Sequence, residues 1–350
     1  MSPHDKKKRE NAVMSKRVYV AYTGGTLGMQ ASENGFVPAR NFLEPFFTSL
    51  GSAITSQFSF TFNEYTELID SSNATPQDWL DIARDVKAHY QDHDAFLILH
   101  GTDTMAYTAS ALSFWLQGLD KPVVITGSQI PFCLERSDAV SNVTNALAWL
   151  KMEALSEVGL CFHDRLLRGN ASSKVKATQL DAFDSLNQPW LGKMAIKPKL
   201  NYANLLPKPI SGSDWQLPTQ ADNNVAVLRI FPSMTANLLK CAFDSGYTGV
   251  ILQSYGTGNA PDKDLELLQT IEGYTAEGKI IVNLSQCPYG EVDSAYATGS
   301  RLAQAGVISG NTMTVEAAFT KLHVLLQQST DRDDVIKLFQ QNLCGELSQL

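Results

Sequence analysis

The chain has 350 residues, 44% of them hydrophobic and 18% charged, with 28 Lys+Arg against 36 Asp+Glu for a net charge of −8. That mixture suits a globular protein of one large or two ordinary domains, and its acidity argues against broad nucleic-acid binding. No run approaches the roughly 18 apolar residues of a membrane-spanning helix, so the expected partner is a small molecule and neither nucleic acid nor a membrane.

The first ten residues, MSPHDKKKRE, are basic and are followed by NAVMSKR where a secretory signal would need an apolar stretch, so no such signal is expected. Met14 offers a second start, and residues 1–16 read as a disordered extension. The cysteines Cys133, Cys161, Cys241, Cys287 and Cys344 are odd in number and widely spaced, without CxxC or zinc spacing. They fit reduced, buried thiols in the cytoplasm. His89 and His93 carry no Glu-based metal motif and read as solvated, so neither metal nor cofactor is expected.

Strand, loop and helix then alternate. Apolar runs at Val18–Tyr22, Phe58–Phe62, Phe96–Leu99, Val123–Thr126 and Val158–Phe162 read as strands. Between them TPQDWLDIARDVKAHY reads as a helix: Thr75 fits an N-cap, Pro76 the first turn, and Asp78 completes a capping-box pattern. Further helices are predicted from about Thr104 to Leu116 and from Asp138 to Leu150. From Leu186 to Asn224 five of the chain's 14 prolines accumulate, which reads as an irregular connection. A second rhythm follows, with strands Val225–Ile230, Gly249–Gln253 and Ile280–Leu284, helices Ser233–Asp244 and Asp262–Glu277, and a mostly helical tail from Thr314 to Leu343. The whole reads as an α/β protein of two doubly wound parallel-sheet domains, at 17–205 and 225–350, joined by a linker at 206–224.

In such sheets ligands bind beyond the carboxyl ends of the strands. After the first strand comes Thr23-Gly24-Gly25-Thr26, after the second Asp70-Ser71-Ser72-Asn73, after FLILH Gly101-Thr102-Asp103-Thr104, and after VVIT Gly127-Ser128-Gln129. Beyond VGLCFH lies Arg168-Gly169-Asn170-Ala171-Ser172-Ser173-Lys174. Hydroxyls, carboxylates and one lysine suit acyl transfer by a hydroxyl nucleophile, which needs a neighbouring base. The Gly24-Gly25 pair lets backbone N–H groups approach a developing oxyanion. Singly, each signal has a plainer structural explanation: TGGT as a tight strand-to-helix turn, HGTDT as a helix cap, Lys174 as a solvated side chain. TGGTLG lacks the spacing of a nucleotide loop.

Taken together, AYTGGTLGMQ, ILHGTDTMAYTASALSF, VITGSQIP, RGNASSK and QSYGTGNAP resemble the L-asparaginase family, in its cytoplasmic type I bacterial branch. The resemblance runs from about Arg17 to the C-terminus. It implies hydrolysis of L-asparagine to L-aspartate and ammonia without metal or cofactor. It makes Thr26 the acyl-accepting nucleophile, with Thr102, Asp103 and Lys174 as the family's Thr-Asp-Lys cluster. Asp103 would also bind the substrate's α-amino group, and Asp70, Ser71 and Ser72 its α-carboxylate. It further implies a homotetramer or homodimer in which Asn259 reaches a neighbouring subunit's site.

Two departures stand out. Family members often carry a tyrosine on the loop after TGGT, where this chain has Phe36; Tyr296 is a replacement candidate, or is merely packed near an interface. Type I enzymes can carry an effector site for asparagine with an arginine before SYG. Here that position is Gln253, while Ser173 and Cys287 complete a doubtful set, so loss of the guanidinium fork predicts weak or absent cooperativity. Alternative functions are a glutaminase-asparaginase or related amidohydrolase, and a catalytically weak amino-acid-binding homologue. An amidotransferase subunit would carry an added N-terminal domain, for which the residues before the first strand leave no room.

Overall fold

The computed structural model describes residues 15–33, 35–210, 214–222, 224–293 and 297–348. In the first half the strands are β1 (Lys16–Tyr22), β2 (Met29–Ser32), β3 (Gly35–Pro38), β4 (Phe58–Glu64), β5 (Ala95–Leu99), β6 (Val123–Thr126), β7 (Val158–Phe162) and β8 (Arg165–Arg168). Four two-residue strands follow: β9 (Ser173–Lys174), β10 (Phe183–Asp184), β11 (Gly192–Lys193) and β12 (Lys199–Leu200). The helices here are α1 (Leu43–Ser49), α2 (Ser52–Thr55), α3 (Pro76–His89), α4 (Met105–Trp115) and α5 (Ala139–Leu150). The second half runs β13 (Val225–Arg229), α6 (Asn237–Asp244), β14 (Gly249–Ser254), α7 (Leu265–Ala276), β15 (Ile280–Ser285), α8 (Ala297–Gln304), β16 (Ile308–Ser309), α9 (Val315–Gln328) and α10 (Arg332–Gln340).

Two sheets result. The large one has the order β12-β11-β8-β7-β6-β5-β1-β4, parallel from β4 to β7 and antiparallel through β8, β11 and β12. The small one, β13-β14-β15-β16, is parallel throughout. Period-two alternation explains why both are covered on two faces. Along β1, Val18, Val20 and Tyr22 enter one core with α1 and α5, while Tyr19 and Ala21 enter another with α3 and α4. The small sheet divides likewise, Val250 and Leu252 to one side and Ile251 to the other.

Several boundaries differ from the sequence expectation, each for a local reason. Helix α3 begins as expected, with Asp78 accepting the Thr75 N–H at 2.6 Å. Helix α6 starts at Asn237 and not at Ser233, because Ser233 takes φ 65° beside Pro232 and a turn closes from Met234 N to Phe231 O at 3.0 Å. Helix α7 starts after Asp264, whose carboxylate caps Leu267 N at 3.0 Å, so Asp262 stays outside it. The antiparallel extension β8-β11-β12 and the short β16 carry too few alternating residues to announce themselves.

The described part of 206–224 contains no helix or strand, yet it packs on the large sheet's helices. Trp215 donates to Gln117 O at 2.7 Å, its ring lies 4.7 Å from that of Tyr90, and Lys87 bonds its carbonyl. The two sheets meet where α9 lies on α4, with Phe319 at 5.8 Å from Tyr107 and 6.1 Å from Trp79. His93 is buried, not solvated: its ring bonds Thr61 Oγ1 at 2.9 Å and the His89 carbonyl at 3.0 Å. All five thiols are free, but only Cys161 and Cys344 are buried; Cys133, Cys241 and Cys287 are exposed. No helix among the described residues is long and apolar enough to cross a membrane.

Candidate active site

Because β1, β4, β5 and β6 run the same way, the segments that follow them gather at one edge of the sheet. They approach through glycine. A Cβ on Gly25, whose φ is 91°, would stand 2.3 Å from Gly101 Cα, and one on Gly101 would stand 2.5 Å from Ser71 Oγ. The first and third loops are thus stacked backbone on backbone, and the third lies against the Ser71 side chain, at separations that a side chain on either glycine would forbid. Immediately after Gly25, Thr26 opens a 3₁₀ turn to Gly28 and is half-buried. Among the described residues its hydroxyl makes no hydrogen bond, so it is open to a ligand.

His100, at the end of the third segment's strand, is fully buried and structural. Its Nδ1 faces the Gly101 carbonyl at 2.7 Å and must donate, which leaves Nε2 to accept from Thr108 Oγ1 at 3.0 Å. Burial holds its pKa below the ordinary histidine value, in keeping with that neutral tautomer.

The next two residues meet the lysine that the sequence places 71 and 72 positions later. Lys174 Nζ donates to Thr102 Oγ1 at 2.8 Å and to Asp103 Oδ1 at 2.7 Å. Thr102 is buried and spends its own proton on Gln129 Oε1 at 3.1 Å, so its lone pairs face the ammonium. An ammonium has three N–H donors; two are used among the described residues and one remains. Asp103 does not cap α4. Thr104 occupies the cap position, and its hydroxyl bonds Ser71 O at 2.7 Å.

Of the second segment, Ser71 is buried and its Oγ accepts from Asp103 N at 3.2 Å, next to the cluster. Asp70 and Ser72 are exposed, and the Asp70 carboxylate caps the turn at Ser72 N, 3.2 Å away. Asn259 lies on the turn after β14, where backbone pairing with Tyr255 closes the loop at 2.9 and 2.7 Å. Phe36 is on β3 and 44% exposed. Tyr296 lies outside the described residues. Ser173, Gln253 and Cys287 do share a place: with Glu316 they line a cavity of about 90 Å³ between the two sheets. Ser173 Oγ donates to Glu316 Oε1 at 2.6 Å, and burial holds the Glu316 carboxyl above the ordinary range. Among the described residues no group of three His, Cys, Asp or Glu side chains could hold a metal.

Gln129 escaped the sequence reading as a site residue, although GSQ at a strand end marked its segment. Besides accepting from Thr102, its amide donates to Ala177 O at 3.1 Å and Gln179 O at 3.2 Å, in the loop after Lys174. Asp138 holds it from below. That buried carboxylate accepts Gln129 N at 3.0 Å, Ile130 N at 3.0 Å and Asn142 Nδ2 at 2.9 Å.

Residues 17–206 match the asparaginase N-terminal domain family, and residues 224–339 match the glutaminase/asparaginase C-terminal domain. L-asparaginase 1 of Escherichia coli is 45% identical over 338 residues, which cover 96% of this chain and 99% of that one. The crystal structure of L-asparaginase I from Vibrio cholerae is similar with a TM-score of 0.84 and 39% identity, over 95% of this chain and 99% of that one. The thermostable L-asparaginase from Thermococcus kodakarensis is similar with a TM-score of 0.85 and 30% identity, over 95% and 100% of the two chains.

Proposed function

The chain belongs to the asparaginase family, and from that premise we propose that it hydrolyses L-asparagine to L-aspartate and ammonia through Thr26 as nucleophile and a Thr102-Asp103-Lys174 cluster. The observation that carries the reading is the Lys174 amine, 2.8 Å from the Thr102 hydroxyl and 2.7 Å from the Asp103 carboxylate.

Thr26 Oγ attacks the side-chain amide carbonyl, and N–H groups of the glycine-rich turn receive the developing oxyanion. Collapse expels ammonia, with the proton lost by Thr26 delivered to the leaving nitrogen, and leaves an ester on Thr26. Thr102 then activates the water that cleaves this ester; Lys174, as the neutral amine after shedding a proton to solvent, takes up the water's proton and returns it to the departing Thr26 Oγ. Asp103 also serves substrate binding, since its carboxylate suits a substrate α-ammonium, while Ser71 and its neighbours Asp70 and Ser72 suit the α-carboxylate. Asn259 and Tyr296 act from the C-terminal domain, Asn259 toward the site of a neighbouring copy in a homodimer or homotetramer. The chemistry requires no metal or cofactor and suits an enzyme of the cytoplasm.

Ammonia release from asparagine and from glutamine, for the wild type and Thr26→Ala, tests this. The wild type should release ammonia from asparagine and Thr26→Ala should not; undiminished activity in Thr26→Ala overturns the nucleophile. Comparable rates on glutamine would favour the broader glutaminase-asparaginase reading, since one methylene is worth only about 1–3 kcal/mol of discrimination. Tyr296→Phe should lower kcat if that tyrosine replaces the hydroxyl missing at Phe36. With Gln253 in place of a guanidinium, the asparagine saturation curve should be hyperbolic, and a clearly sigmoidal one would refute the loss of the effector site.

A further inference from the structure

Lys174 rides on a short support. Strand β9 pairs only with β10, in a two-stranded sheet of two residues each, with Lys174 opposite Phe183 and Ser173 opposite Asp184. So small a ladder does not fix the position of a catalytic amine by itself. Besides the Phe183 ring packed 4.9 Å from Phe162 of β7 and the Gln129 amide on the hairpin loop, what ties this hairpin to the large sheet is Arg165, the first residue of β8, paired there with Lys193 of β11.

The Arg165 side chain is 15% exposed and addresses the hairpin with both ends of its fork. Nη1 donates to Phe183 O at 3.1 Å and to Asp184 Oδ2 at 3.2 Å, while Nη2 donates to Asp181 Oδ2 at 3.2 Å. The first two acceptors belong to the residues that face Lys174 and Ser173 across the ladder. The guanidinium lies 4.5 Å over the Trp190 ring, and the Trp190 N–H donates to the other Asp184 oxygen at 2.7 Å. Asp181 also receives the Lys176 ammonium, which holds its carboxyl below the usual range. Every contact in this ring of groups ends on the hairpin or on the wall behind it, and none reaches Thr102, Asp103 or the open mouth of the site.

We propose that Arg165 is a positioning residue for Lys174: clamped on Trp190, its guanidinium holds the β9–β10 hairpin against the large sheet, and so keeps the Lys174 amine within reach of Thr102. This rests on the reading of Lys174 as the proton-carrying amine. A planar fork stacked on an indole reaches three acceptors at fixed angles, which the single flexible ammonium of a lysine does not.

The test is steady-state kinetics on asparagine with full-length Arg165→Lys, Trp190→Phe, Lys174→Met and the Arg165→Lys/Lys174→Met pair, each first checked for a folded circular dichroism spectrum. Arg165→Lys should lower kcat by about 10- to 100-fold with KM nearly unchanged, the loss that a displacement on the order of 1 Å produces. Trp190→Phe keeps the stacked ring but loses the N–H bond, and should show the same split to a smaller degree. In the Lys174→Met background Arg165→Lys should cost almost nothing further, because the group it places is gone. Wild-type kcat in Arg165→Lys, a rise in KM without loss of kcat, or an equal loss in both backgrounds would each overturn the positioning role. Wild-type kcat in Lys174→Met would instead overturn the role of Lys174 itself, whatever Arg165→Lys does.

Discussion

Two lysine-carboxylate pairs in this protein use the same chemical groups to opposite ends. At the edge of the large sheet, Lys174 meets Asp103 at 2.7 Å with side chains 20% and 61% exposed. Behind the small sheet, Lys321 and Glu346 form a pair with both side chains at 0% exposure. The Lys321 ammonium is saturated: it donates to Phe339 O at 2.7 Å, to Gln341 O and to Glu346 Oε1. Glu346 in turn accepts Leu343 N at 2.9 Å and Cys344 N at 2.8 Å. Burial lowers the Lys321 pKa, and the facing carboxylate opposes that shift. The pair therefore locks the C-terminal tail, whose next carbonyls bond Asn170 at 3.1 Å and Gln188 at 2.7 Å across the domain boundary. Lys174, by contrast, has an N–H to spare and a carboxylate that solvent and substrate can reach. On the proposed reading of Lys174, availability of donors separates that pair from the sealed one; the distance between the charges does not.

Truncating each lysine should break this symmetry. Lys174→Met is expected to lower kcat by about 10²–10⁴-fold, the usual worth of a general acid-base group. Because the Asp103 carboxylate left behind is 61% exposed and water can solvate it, the same change should move the stability read from urea unfolding by less than about 1 kcal/mol. A large loss of stability with kcat preserved would reverse the assignment. Lys321→Met should do the opposite, removing about 3–5 kcal/mol of stability by leaving a buried carboxylate and two carbonyls without a partner. Its kcat, per folded molecule, should stay near the wild-type value.

His323 extends the comparison to a buried base whose ring nitrogens have no hydrogen-bond partner among the described residues. The ring lies 6.0 Å from Trp79 and 6.1 Å from Phe319 at the domain boundary. Burial depresses its pKa below 6.5, with Asp222 weakly opposing. The unfolded chain therefore takes up a proton near pH 6.5 that the folded chain refuses, so stability falls as the pH drops below that value. In His323→Phe the slope should shrink, by on the order of 1 kcal/mol for each pH unit of the window. Unfolding midpoints of both proteins between pH 7.5 and pH 5 would register the change; parallel curves would rule it out.

How far the sequence reached is visible in particular residues. The capping box at Thr75 and Asp78 acts over three positions, and the alternation in β1 over two, so both were legible in the chain. The segments that hold Thr26, Ser71, Thr102 and Asp103 could be singled out because the loops after parallel strands share an edge; the choice of those four residues within them came from the family resemblance. The start of α6 was misplaced because a left-handed Ser233 leaves no trace in apolar spacing. Cys287 was expected in the core and is exposed, because its run continues past the end of β15 and out of the sheet.

The amino-acid order by itself determined the longer strands of the two main sheets, most of the helices that cover them, and which reactive side chains lie at strand ends, since each of these depends on neighbours a few residues away. Only the tertiary structure decided that Gln129 accepts the hydrogen bond of the Thr102 hydroxyl, that Arg165 and Trp190 grip the hairpin of Lys174, and that Lys321 is sealed while Lys174 is not. Those outcomes depend on donors and acceptors mostly 16 to 72 positions apart, whose meeting is fixed by how the sheets and their covering helices pack, and by nothing local to either partner.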